Sequence, residues 1–171
     1  MRNTMPFIDA SLFLGMHHGD RVIRTRSLDF FHGHFTIGAR MNFEQIGICD
    51  SVIWRQPRET QDDYYPFMDV LHTDMTFVRQ GYETRHLLTA YSDERLAHLR
   101  AEQKLLVAQV LAAEAKLYTH DPALRSLPCL AEHLGSFDEA SAAGSFPTEL
   151  ENLYHRSKAF LLTGEEWFHV N

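Results

Sequence analysis

Cysteine is scarce in this chain. Two occur in 171 residues, Cys49 and Cys129, far apart and without C-x-x-C spacing. Neither a disulfide framework nor a zinc ribbon is supported, and a reducing, cytoplasmic setting is expected. Long apolar runs are missing as well. The stretch 7–16 is too short to cross a bilayer and contains Asp9, and no positively charged leader precedes a cleavable apolar segment. The chain therefore reads as soluble and unexported, with no membrane partner. There is no G-x-S-x-G, no Walker-type glycine loop and no G-x-G-x-x-G, which removes support for a serine elbow, P-loop nucleotide hydrolysis and dinucleotide redox chemistry. Positive charge is in deficit: 16 Lys and Arg stand against 23 Asp and Glu, a formal charge of −7 with eleven His counted neutral. No global basic field attracts nucleic acid, so such contacts would fall to the short clusters Arg21, Arg24 and Arg26, or Arg55 and Arg58.

What is present is ordinary globular material, 44% hydrophobic and 12% aromatic, enough for one domain with a real core. The hydrophobic pattern predicts strands over 6–10, 35–41, 75–78 and 116–119. Between them it predicts helices over 11–17 with Ser11 as cap, 20–33 from Asp20 to Gly33, and 43–54 with Asn42 as cap. Two helical pieces broken near Pro66 follow within 57–75, then helices over 83–91 and 93–115. Strands alternating with helices imply an α/β fold of three layers, a mostly parallel central sheet of about four or five strands with helices on both faces. Residues 1–135 form this domain. The stretch "SFDEASAAGSFP", 136–147, reads as a linker to a C-terminal helical extension, 148–171, whose helix over 148–162 would pack on the domain through Leu150, Leu153, Tyr154 and Phe160.

In an open parallel sheet the ligand site lies outside the carboxyl ends of the strands. Asp9 ends the first predicted strand and Asp121 follows the last, so both should face one cleft. Glu44, in the first turn of the helix after the second strand, belongs at the same edge. Three hard oxygen donors suit Mg²⁺ or Mn²⁺, which keep waters for substrate and nucleophile.

The stretch "FIDASLFL" resembles the first-strand motif of PIN domains, the toxin-type and RNA-processing nucleases. "MNFEQIGI" is similar to their second acidic motif, and "LVAQVLAAEAKLYTHDPAL" to their final helix, strand and acidic turn. The resemblance covers about residues 5–135 and looks like a divergent bacterial branch. It implies a PIN-like sheet with a metal-dependent nuclease or phosphodiesterase site in which Asp9, Glu44 and Asp121 are the metal-site carboxylates. RNA would be the partner and a homodimer the assembly. In that chemistry the ion lowers the pKa of a bound water and orients it for hydrolysis, with Thr119 contacting the ligand. The resemblance also exposes a departure. Where the family carries another acid before the last strand, this chain has Gln103, with Glu102 beside it but about 100° away on a regular helix.

The histidines support a competing expectation. His17 and His72, each near a carboxylate in the sequence, could supply a mixed site for Fe or Zn acting on a small molecule. Tyr64 and Tyr65 could stack a base or line its pocket. A third reading is an interaction protein that has lost its catalysis. Each residue also has an ordinary explanation: Asp9 as a helix cap, Glu44 as an acid favoured by the helix dipole, Asp121 as a turn before Pro122, and Tyr64 and Tyr65 as a half-buried helix face.

Overall fold

The computed structural model of the chain describes residues 5–137, 144–158 and 160. In order, the elements are β1 (Phe7–Ile8), α1 (Ala10–Gly15), α2 (Arg21–His34), β2 (Ala39–Asn42), α3 (Phe43–Trp54), α4 (Arg58–Asp74), β3 (Phe77–Gln80), α5 (Thr84–Ser92), α6 (Ala101–Ala113), β4 (Leu117–Tyr118), α7 (Pro122–Arg125) and α8 (Thr148–Ser157). The four strands form one all-parallel sheet in the order β3-β2-β1-β4. Side chains alternate across it, as strand geometry requires. Ile8 joins Leu12, Phe31, Val52, Phe67 and Leu150 on one face, whereas Phe7 joins Leu106, Val107, Val110 and Leu124 on the other. Helices cover both faces, and the expected three-layer α/β architecture is present.

The chain leaves β1 toward β2 on one side and returns as β4 on the other. β1 is therefore where strand order reverses, and the crevice of a parallel sheet opens at the carboxyl ends there. Asp9 follows β1 and Thr119 follows β4, so topology alone brings them together.

Local chemistry moved several boundaries. The first helix begins at Ala10, and its cap is Asp9 rather than Ser11: Asp9 is extended (φ −113°, ψ 177°) and its carboxylate accepts from the Leu12 N–H at 2.9 Å. Gly33 does not end α2, which runs on to His34. The following turn is made at Gly38, whose φ of +88° favours glycine and where a Cβ would lie 2.4 Å from the Thr76 carbonyl. The second strand is shortened accordingly to Ala39–Asn42. α4 passes through Pro66 unbroken. A proline in a helix interior costs about 3 kcal/mol, and burial of Tyr64, Phe67 and Leu71 on the same helix offsets it. The long helix expected over 93–115 is instead a 3-10 turn at Glu94–Leu96, capped by Asp93, followed by α6, with extended Arg100 between them. Helix α8 packs on α4, with Leu150, Tyr154 and Phe160 buried and the Tyr154 hydroxyl donating to the Met16 carbonyl at 2.6 Å. Residues 138–143 of the expected linker, and 159 and 161–171 of the expected extension, lie outside the described residues.

Candidate functional site

Asp9 is 3% exposed and sits where β1 turns into α1. Oδ1 accepts from the Leu12 amide at 2.9 Å and the Ser11 hydroxyl at 2.7 Å, and Oδ2 accepts from the Thr119 hydroxyl at 2.5 Å. The same hydroxyls reach across the crevice. Ser11 Oγ accepts from the His120 amide at 2.8 Å, and Thr119 Oγ1 accepts from the Asp121 amide at 2.9 Å. Asp9 is thus the knot that ties the end of β1 to the end of β4, with three of about four acceptor positions used. Burial raises its pKa to about 6, against the lowering effect of the three hydrogen bonds and with a further push from Asp121.

Two amides complete the wall. Gln45 stands three residues after Asn42, the α3 cap, whose side chain accepts from the Gln45 N–H at 3.0 Å. That position turns Gln45 inward, 5% exposed, where Oε1 accepts the Ala10 N–H at 2.9 Å. Gln103 opens α6 in the same manner. Its Oε1 accepts from the Arg100 N–H at 3.0 Å, and its Nε2 donates to Asp121 Oδ2 at 2.7 Å. Asp121 in turn caps α7, with Oδ1 accepting from the Ala123 N–H at 2.9 Å. Arg100 closes the mouth: its guanidinium is 2.5 Å from Glu102 and 3.9 Å from Asp121. The cleft bounded by these groups encloses about 60 Å³, well below the ~300–1,000 Å³ of ordinary small-molecule sites.

The structure brings Asp9, Asp121, Glu102 and Thr119 into this cleft or its wall, and it does not bring Glu44. That side chain is exposed at the start of α3, one residue before the inward position. The carboxylate expected there is replaced by the amide of Gln45. Asn42, already legible as a cap, carried the signal that would have found it, because the third helical residue after a cap faces back over the cap. Nothing in the residue pattern pointed to Arg100, whose role depends on the unexpected break before α6.

The histidines are dispersed. His17 is buried among the rings of Tyr64, Phe67, Tyr154 and Phe160, with Nε2 against Ser157 Oγ at 2.8 Å. Burial, aided by Lys158, lowers its pKa to about 3, so it is neutral. His72 lies against Phe13 and Phe77, in a different cavity from the cleft. Tyr64 is buried in the main core, and Tyr65 lines the cavity that holds His72. Among the described residues, no three His, Cys, Asp or Glu side chains converge as a metal-holding group.

The donor chemistry of the cleft fits a bare divalent cation poorly. Asp9 is largely committed to hydrogen bonds, Glu102 is paired with Arg100, and each Asp121 oxygen already accepts a hydrogen bond. Gln45 and Gln103 add no charge. A family model described as a family of unknown function (DUF6190) matches residues 1–167. No curated protein and no solved structure matches.

Proposed function

The chain belongs to the DUF6190 family, and we propose that it is a PIN-like domain that binds without cleaving, its nuclease cleft converted into a hydrogen-bonded clasp. One observation carries this reading, the 2.7 Å contact from Gln103 Nε2 to Asp121 Oδ2. In a metal-dependent site two oxygens at such a distance would be held together by a cation. Here an amide N–H supplies the positive end itself, and Arg100 adds a full charge 3.9 Å away. Gln45 plays a different part beside Asp9: its carbonyl oxygen accepts the Ala10 amide without placing a second negative charge against a buried carboxylate. With its acids paired in this way, the cleft supplies a rigid joint between β1 and β4.

Protein is the partner class this surface favours. Leu87, Leu88 and Tyr91 of α5 are 43%, 62% and 62% exposed, and Trp54 at the end of α3 is 70% exposed, whereas the chain as a whole is acidic. The test is a cleavage assay on varied single-stranded RNA with Mg²⁺ or Mn²⁺ in excess, with Asp9→Asn as control. No cleavage by either protein is expected. Metal-dependent cleavage lost in Asp9→Asn would return the chain to the active nucleases.

A further inference from the structure

A second cavity, of about 400 Å³, opens between α3, α4 and β3, away from the cleft. Its walls are Phe13, Met41, Phe43, Tyr65, Met68 and Phe77, four rings and two flexible thioethers. Phe43 is 54% exposed, so the apolar lining continues out to the rim rather than closing over.

The rim is charged and its charges are unspent. Asp50 on α3, Asp69 on α4 and Arg79 on β3 all line the opening, and none has an ion-pair partner among the described residues. His72 lines the same opening near Asp69 and Arg79, its ring stacked on Phe13 at 5.9 Å and edge-on to Phe77 at 4.6 Å, with no hydrogen bond among the described residues. Partial desolvation of its ring against Phe13 and Phe77, with the nearby Arg79, lowers its pKa against an opposing effect from Asp69, so it presents a neutral imidazole able to accept an N–H.

We propose that this cavity binds a small amphipathic amine, its apolar body against the Phe and Met walls and its ammonium group between Asp50, Asp69 and His72. The two carboxylates outnumber the single guanidinium, and ring faces attract cations. An anion of the same shape would meet two like charges and an imidazole that offers it no charge. The volume lies within the range of ordinary ligand cavities and admits a single ring with a short chain with room to spare. This site is independent of the cleft and of whether the cleft cleaves anything.

Phenethylamine and 3-phenylpropionate, similar in shape and opposite in charge, are the probes. They are titrated into the full chain carrying methyl-labelled methionine, with the Met41 and Met68 signals followed by NMR. Saturable shifts of those two methyls with phenethylamine, at a Kd on the order of a millimolar or tighter for so small a probe, support the proposal. They should come with markedly weaker effects of 3-phenylpropionate and about a tenfold loss of affinity in Asp50→Asn/Asp69→Asn. Both substituted side chains are exposed, so that variant keeps the fold, which its remaining methyl spectrum verifies. No saturation, equal binding of the two probes, or unchanged affinity in the double variant overturns it.

Discussion

Replacing the Gln103 amide by a carboxylate isolates the feature on which the functional reading rests. In Gln103→Glu the donor that now lies 2.7 Å from Asp121 Oδ2 becomes a second anion. A charge-assisted hydrogen bond worth about 1.5–3 kcal/mol is lost, and two carboxylates ~4 Å apart repel by about 4 kcal/mol at an effective dielectric near 20. Arg100, 3.9 Å from Asp121, offsets part of this, and protonation of one acid caps the rest. The expected cost is about 2–4 kcal/mol at pH 7.5. Its sign with pH follows from the pair. A carboxyl forced beside a like charge has its folded pKa raised above the unfolded value, so the destabilisation is full at high pH and fades as pH falls toward about 4.3. Urea unfolding at pH 7.5 and 5.0 measures both. Gln103→Leu separates the terms, since it removes the hydrogen bond without adding charge and should cost less at pH 7.5 and show no such pH dependence. The same substitution should create an ion site, so 1 mM Mn²⁺ should raise the melting temperature of Gln103→Glu and leave the wild type where it was. Equal stability of Gln103→Glu and wild type at pH 7.5, or a Mn²⁺ shift in the wild type, would refute the reasoning.

Asp9 carries its own pH signature. Its folded pKa is raised to about 6 from 3.8, so it contributes stability that is present below the unfolded value and lost as pH rises through about 6. Across pH 4 to 7 the wild type should lose about 2–3 kcal/mol relative to Asp9→Asn, a difference read from paired denaturant titrations. Tyr154→Phe strips the 2.6 Å donor from the buried Met16 carbonyl and should cost about 1–3 kcal/mol, seen as a lower urea midpoint at unchanged slope. Gly38→Ala combines a positive φ with a Cβ 2.4 Å from the Thr76 carbonyl and should lower stability by at least about 1–2 kcal/mol. A neutral outcome by thermal unfolding would mean that the β2 turn relaxes freely.

The α/β class and the parallel sheet were legible because each strand is a short apolar run between helical periods, and the convergence of Asp9 with Asp121 follows from that topology. Asn42 and Asp20 were readable as caps because their side chains satisfy amides that nothing else reaches. Asp9 was harder. A residue that ends a strand and also caps the next helix serves both elements, and the hydroxyl of Ser11 made it a plausible competitor for the cap. Pro66 misled because its local cost is outweighed by apolar contacts distant in sequence. The break before α6 was invisible because the 93–115 pattern stays apolar at helical spacing through the 3-10 turn. In the cleft, charge singles out Glu44, whereas helix geometry selects its neutral neighbour Gln45.

The central claim is that the cleft has exchanged metal chemistry for hydrogen bonds. Isothermal titration of Mn²⁺ into the wild-type chain, purified without a metal-binding tag, tests it most directly. The account predicts no saturable site tighter than about 1 mM, with only the weak, salt-sensitive association of an acidic surface. A stoichiometric site of micromolar affinity that disappears in both Asp9→Asn and Asp121→Asn would contradict it.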